Sequence, residues 1–315
     1  ASHSINGELI AGQLYKHYSW EVPEYPVVLT DVKIIHNNGV DNWGGAGLEI
    51  TNHCLVEMVG GEISHNSSEY GYGGIYHRNA SVRSSHLALS DVLIHHNGIN
   101  EQGDGITLAD HPNGQPGTVD AVFHNLTITD NIGSGVKMVG AQFDGIIQPV
   151  IRNSIIFSNG DGQINTASYD TDPDVQYSDI EGGYYGQENM NSDPGFENSN
   201  NDNYNLQSNS PCIDAGTADL NNDGIDDILD YYGSAPDMGA FEFGDGLYGD
   251  LNLDGDVNIL DIVVLVNYVF EDYYTKNPNK IRELDLPFLS TGDPMIDKWE
   301  REIEAGITPD LMEDL

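Results

Sequence analysis

Two twelve-residue stretches of the chain place oxygen-bearing side chains at the spacing that wraps a calcium ion. In Asp250–Asp261 (DLNLDGDVNILD), Asp250, Asn252 and Asp254 stand at loop positions 1, 3 and 5, Asn258 at position 9 and Asp261 at position 12. Asp256 at position 7 offers its backbone carbonyl, and Gly255 at position 6 permits the sharp turn. Calcium is a hard cation that takes six to eight oxygens from a flexible loop, which is the need this pattern meets. The same register recurs in Asp219–Asp230 (DLNNDGIDDILD), with Asp219, Asn221, Asp223, the Ile225 carbonyl, Asp227 and Asp230 in corresponding places. Two such loops in one chain make Ca2+ the expected cofactor. An apolar run, Ile262–Phe270, follows the first loop and reads as a helix, whereas the second runs into Tyr231-Tyr-Gly-Ser-Ala-Pro236.

A second group of residues has the chemistry of sugar recognition. Three glycine-rich stretches, GVDNWGGAG, SSEYGYGG and GINEQGDG, would set Asp41, Trp43, Glu69, Tyr70, Tyr72, Glu101 and Asp104 along one edge. Aromatic faces beside carboxylates bind sugar rings, and paired carboxylates hydrolyse glycosidic bonds. Turn-forming glycines among solvated acids give the same pattern and are the favoured explanation, so these seven are candidate glycan-binding residues and none is assigned a catalytic role. All eleven histidines fall between His3 and His124. His65 pairs with His96, and His36 with His95, at equivalent positions of successive repeats. Stacked imidazoles bind transition metals or relay protons, but an outward ladder of like residues is the favoured expectation.

The elements that would carry these residues are set by a repeat. Ile35-x-x-Asn38, Ile63-x-x-Asn66, Ile94-x-x-Asn97, Ile128-x-x-Asn131 and Ile156-x-x-Asn159 recur every 28 to 34 residues. A second anchor follows each: Gly47-Leu48, Gly74-Ile75, Gly105-Ile106, Gly135-Val136, and Gly162 with Ile164. Short alternating apolar stretches bounded by Asn and Gly at this period predict a β-solenoid with about three short strands per turn. The Ile side chains would stack inward, and the Asn amides would bond from rung to rung at the strand spacing of about 4.8 Å.

Composition limits the partners. Lys+Arg is 11 against Asp+Glu 51, a formal charge of −40, which opposes nucleic acid and anionic membrane surfaces. No apolar stretch reaches the roughly 20 residues of a membrane span. The opening ASHSING lacks a leader, as in a mature product with its signal peptide removed or a trimmed chain. Cys54 and Cys212 are the only cysteines and are equally compatible with one bridge or two buried thiols.

The repeats resemble the right-handed parallel β-helix proteins of the pectin-lyase-like group over residues 5–243. The likeness includes a C-terminal stretch typical of secreted bacterial members: Asp193-Pro-Gly-Phe196, Tyr204 to Gly216, and Ala235 to Phe243. It implies an all-β, right-handed parallel β-helix solenoid over residues 1–192, with a cap carrying the second calcium-type loop over 193–245. Lyases of this group use a Lys or Arg base. The repeats offer Lys33, Arg78, Arg83, Lys137 and Arg152, of which Arg78 beside His77 and near Tyr76 is the only constellation worth testing. Asp-Asp and Gly-His-Gly blocks like those of polygalacturonases are missing.

Residues 246–272 resemble one half of a type I dockerin, a small α-helical calcium-binding module that docks on a cohesin. Residues 273–315 supply a linker and one capped helix around Ile296, Trp299 and Ile303 where the second half would stand. The expected function is therefore a non-catalytic, extracellular or cell-surface structural β-helix, stabilised by calcium. Its expected partners are copies of itself or other surface proteins met through its terminal modules. The alternative is a secreted polysaccharide lyase or glycoside hydrolase anchored to a cohesin-like partner.

Overall fold

The computed structural model describes residues 3–9, 26–39, 47–51, 54–68, 72–79, 85–99, 103–110, 118–140, 146–166 and 171–244. The chain divides into two compact units, Ala1–Leu247 and Tyr248–Leu315. The first calcium-type loop, the helix expected after it and the expected terminal helix fall in the second unit, outside the described residues.

The first unit is an all-β parallel β-helix. Among the described residues the coil is built from a twelve-stranded sheet that turns through two sides and a five-stranded sheet on a third. The third rung shows the plan. Ser85–Ser90 runs along the first side, Asp91 turns the corner, and Leu93–His95 runs along the second. His96 turns the next corner, and Ile106–Asp110 forms the third side. Both corners need left-handed backbone. Asp31, Asp91, Asn125, Asn153 and Tyr177 hold φ between 49° and 58° at the first corner. His36, His65, His96, Asp130 and Ser158 hold φ between 49° and 57° at the second. Asn, Asp and His are the side chains that tolerate this region best, so the corner composition follows from the geometry.

Alternation along each strand points every second residue inward. Leu29, Met58, Leu89, Phe123, Ile151 and Val175 stack one per rung on the first side, all 1% exposed or less. Ile34, Ile63, Ile94, Ile128, Ile156 and Ile180 do the same on the second. Leu48, Ile75, Ile106, Val136 and Ile164 complete the third. Burying each such side chain contributes about 1.5–3 kcal/mol before chain entropy is subtracted. Gly74 lies where two rungs touch: a Cβ there would stand 2.4 Å from the Gly105 carbonyl oxygen.

The asparagine ladder forms as expected, with its first member moved by one residue. Ile34, not Ile35, pairs with Ile63, and Asn37, not Asn38, meets Asn66. Asn37 Nδ2 donates to Asn66 Oδ1 at 2.9 Å, Asn66 to Asn97 at 3.0 Å, Asn97 to Asn131 at 3.0 Å and Asn131 to Asn159 at 2.9 Å. Each acceptor oxygen also takes the backbone N–H of the preceding asparagine. Asn159 passes the series to Gln163 Oε1 at 2.7 Å, and Gln163 Nε2 donates to Glu181 at 2.7 Å.

Residues beyond the sixth rung fold back on it. Asn189 Nδ2 donates to the Val175 carbonyl, and Met190 pairs with the backbone of the last strands. The segment expected to cap the end lies along the flank instead. Tyr204 reaches Asp130 and His96, Ala240 N–H donates to Thr127 Oγ1, and Gly239 N–H donates to the Asn153 carbonyl. A separate apolar cluster of Ile155, Leu206, Cys212 and Met238 glues this flank to the solenoid. Cys54 and Cys212 are buried and form no disulfide; Cys212 Sγ lies 3.5 Å from Asp179. No helix among the described residues is long and apolar enough to cross a membrane.

Candidate functional site

The second corner of the coil brings four histidines together. His36, His65 and His96 occupy the same corner position in three consecutive rungs, each immediately before a ladder asparagine, so the earlier pairing of His36 with His95 is corrected. The cause is the one-residue shift of the first rung, which places Ser64 opposite both Ile35 and His95. Ring centroids of His36 and His65 stand 4.8 Å apart, and those of His65 and His96 5.2 Å apart with the rings stacked and nearly parallel. His95, the last residue of its strand, is buried and packs edge-on against His65 and His96.

Carboxylates flank this group on both sides. His95 Nε2 lies 3.1 Å from Glu62 Oε1, and Lys33 Nζ 2.8 Å from Glu62 Oε2. The hydrogen bond from His95, with help from Lys33 and Ser64, holds the Glu62 carboxyl well below its ordinary range despite partial burial. On the other side the flanking segment supplies Asp202, held at φ 57° where the short turn Ser199–Asn201 meets the strand Asn203–Leu206. Asp202 Oδ1 stands 3.3 Å from His96 Nδ1 and 3.6 Å from His95 Nδ1. His95 Nδ1 and His96 Nδ1 are 2.9 Å apart, a hydrogen bond in which one ring donates to the other. Tyr204 lies beneath them, donating to Asp130 at 2.9 Å with its hydroxyl 3.3 Å from His96 Nδ1. Burial, the Asp130 charge and its hydrogen bond raise the Tyr204 hydroxyl, so it stays protonated. Burial first and neighbouring histidines second lower the His65 pKa, leaving it a neutral nitrogen donor near neutral pH.

Among the described residues, one group of three His, Cys, Asp or Glu ligand atoms gathers within 4.8 Å, and it is His65, His96 and Asp202. Glu62, Asp130, Asp202 and Tyr204 were not singled out from the sequence. The corner series His, His, His, Asp, Ser before each ladder asparagine was the available signal for Asp130. No spacing signal existed for Tyr204, which lies 108 residues from His96.

The calcium-type loop at Asp219–Asp230 folds around its first acid. Asp219 takes the N–H groups of Asp223 at 3.1 Å and Gly224 at 2.8 Å, with Gly224 at φ 86°. Asn221 and Asp223 accept from Asp223 and Ile225, and Asp227 accepts from Leu220 N–H at 2.9 Å. The all-oxygen donor set and the turn at Gly224 fit a hard divalent cation. Asp227 and Asp230 also line a cleft of about 550 Å³ with Asp91, His124 and Glu242. Burial, together with the Arg152 charge, pushes His124 down to about 4.

The glycan edge is only partly visible. Asp41, Trp43, Glu69, Tyr70 and Glu101 lie outside the described residues, as do Asp250, Asn252, Asp254, Asp256, Asn258 and Asp261. Tyr72 is half-buried and stacks on Tyr76 with centroids 4.1 Å apart. Asp104 does not face an edge: it is 2% exposed and binds Thr107 Oγ1 and Ser134 N–H inside the coil. The Arg78–His77 constellation is broken by strand alternation. His77 points into the core between Ile50 and Leu108, bonded to Ser85 Oγ at 2.7 Å, and burial drives it down to about 3.

The fold and this histidine corner define a parallel β-helix with a His- and Asp-lined flank. A crystal structure of the pectate lyase Pel9A is similar at 18% identity over 69% of this chain and 66% of that chain, just under two thirds, with a TM-score of 0.33. No protein-family model and no curated protein matches the chain.

Proposed function

We propose that this chain is a secreted, extracellular or cell-surface structural solenoid, braced by Ca2+ and free of catalytic duty. It assembles with copies of itself or other surface proteins through its terminal segments. The observation that carries this reading is how the basic side chains are used. Of the four described Lys and Arg residues, Lys33 is held by Glu62, Lys137 by Asp104 at 3.6 Å and Arg152 by Asp174 at 2.5 Å. The fourth, Arg78, lies in the field of Glu49. Cleaving an anionic polysaccharide by elimination needs a base and cations that meet the substrate carboxylates, and a chain of charge −40 with three of its four described cations held in ion pairs is poorly equipped for that. Calcium at Asp219, Asn221, Asp223, Asp227, Asp230 and the Ile225 carbonyl would be held by side chains already turned into one loop.

Electron microscopy of the purified chain, in calcium and after chelation, tests the assembly. Ordered multimers in calcium that disperse in chelator are expected; monomers under both conditions overturn the proposal. A carbohydrate-active reading, with a dockerin-like module on a cohesin-like partner, is favoured only by the Tyr72–Tyr76 stack. Release of unsaturated products from uronate polymers would establish it.

A further inference from the structure

We infer that His65, His96 and Asp202 form a transition-metal site, of the class that takes Zn2+, on the flank of the solenoid and separate from the calcium loops. The three ligand atoms come from two adjacent rungs and from the segment that folds back over them, and all lie within 4.8 Å of one another. Two nitrogens and one carboxylate oxygen are the donors of open zinc sites, which keep a fourth position for water or another ligand. Tetrahedral bonds of about 2.0–2.1 Å put neighbouring ligand atoms roughly 3.3 Å apart. The His96 Nδ1 to Asp202 Oδ1 separation is already 3.3 Å. His65 stacks on His96 with ring centroids 5.2 Å apart and rings 9° from parallel, so metal binding would draw the His65 ring toward the other two ligands.

The surroundings are those of an oriented site. His96 cannot drift, because its backbone is fixed in the left-handed corner and its neighbour Asn97 is locked into the ladder. His95 fills the space behind it, anchored by Glu62, and accepts at Nδ1 the His96 Nδ1 proton that a bound metal would displace. Asp202 is carried by the hairpin of Phe196–Asn198 and Asn203–Leu206, which Tyr204 pins to Asp130. Three positions along that corner also carry imidazoles in register, so His36 adjoins the site at 4.8 Å from His65. The nitrogen donors separate this site from the calcium loops: hard Ca2+ prefers the all-oxygen set at Asp219, and Zn2+ prefers imidazole.

The test is calorimetric titration of the full, metal-stripped chain with Zn2+ in millimolar Ca2+, repeated on His65→Ala, Asp202→Asn and the control His86→Ala. His86 faces Asp120 elsewhere on the surface and belongs to neither ladder. One Zn2+ per chain is expected, with binding more than about 100-fold weaker in either site variant, beyond the 10–100-fold typical of outer-shell changes, and no change in the control. A Co2+-loaded sample should show the visible bands of a nitrogen- and oxygen-ligated ion, lost in the same variants. Unchanged circular dichroism of each variant guards against unfolding. No stoichiometric Zn2+ uptake overturns the inference, as does uptake that survives in the His65→Ala, Asp202→Asn double variant.

Discussion

Two consecutive residues in each rung behave in opposite ways. The asparagines at 37, 66, 97, 131 and 159 turn inward, and from Asn66 onward all are less than 8% exposed. Each one fills every hydrogen-bonding role that its neighbours leave open. The corner residues just before them, His36, His65, His96, Asp130 and Ser158, turn outward and leave nitrogen and oxygen atoms facing one another. Both series repeat at the pitch of the coil, so stacking alone does not separate them. Partner choice does: a ladder whose donors and acceptors are matched along its own series holds a fold together, and one whose members bond to side chains outside the series, as His96 does with His95 and Tyr204, can exchange those bonds for a ligand.

The sharpest way to break this contrast is Asn97→Ala. Four hydrogen bonds vanish, and the Asn66 N–H is left buried without a partner. A loss of about 3–5 kcal/mol is expected, read by urea unfolding. A loss below about 1 kcal/mol would remove the ladder from its structural role.

Acid should act next, through histidines that the coil holds neutral. His77 at about 3 and His124 at about 4 both lie below the unfolded value near 6.5. The unfolded chain therefore binds more protons between those values. Their contribution is present above pH 6.5 and is lost as pH falls toward the folded values, at about 1.4 kcal/mol per pH unit for each. Glu62, also depressed, adds its loss only below the ordinary carboxylate range. Thermal unfolding between pH 7 and 5 measures the slope, and His77→Leu, which continues the Ile50–Leu108 stack, should flatten it.

Asp219→Ala should lower stability by about 1 kcal/mol without calcium, because Gly224 N–H loses its acceptor and Asp223 N–H keeps only Asn221. In calcium the gap between the two proteins should widen, as differential scanning calorimetry will report. The smallest effect belongs to His96→Asn. Asparagine accepts the left-handed corner, so metal-free stability should change by no more than about 0.5 kcal/mol. A larger loss would mean that the outer series also builds the fold.

The inward elements were largely legible in the sequence, because a repeat that packs at one strand spacing leaves little freedom in its residue types. Ile63, Ile94 and Ile128 had only one register available, and at Ile155-Ile156 the single Asn159 fixed it. The first rung did not, since KIIHNNG offers two isoleucines and two asparagines in a row. A shift of one residue reverses which side chains face inward, and burial decides it: Ile34 is 1% exposed. Asp104 was misread because it sits between Gly103 and Gly105 and resembles a loop acid, yet the tight crossing of rungs turns it inward to Ser134. Asp202 and Tyr204 were beyond reach, since nothing local specifies that a segment past the last rung returns along the flank.

The asparagine series has one more property, which follows from the direction of its bonds. From Asn37 to Asn131 each amide donates one N–H to the next asparagine of the series, and from Asn66 to Asn131 each oxygen accepts from the one before, so the side-chain dipoles share a component along the coil. From Asn66 on, each amide's second N–H returns to an isoleucine carbonyl of the preceding rung. Aligned amides add, as they do along a helix, and each bond polarises the next. The coil thus carries an electric axis with its positive pole at Gln163, and there Glu181 places a carboxylate against it. Growth of the coil by one more asparagine would have moved that pole outward; Gln163, one methylene longer, ends the series by donating its last N–H to the Glu181 carboxylate.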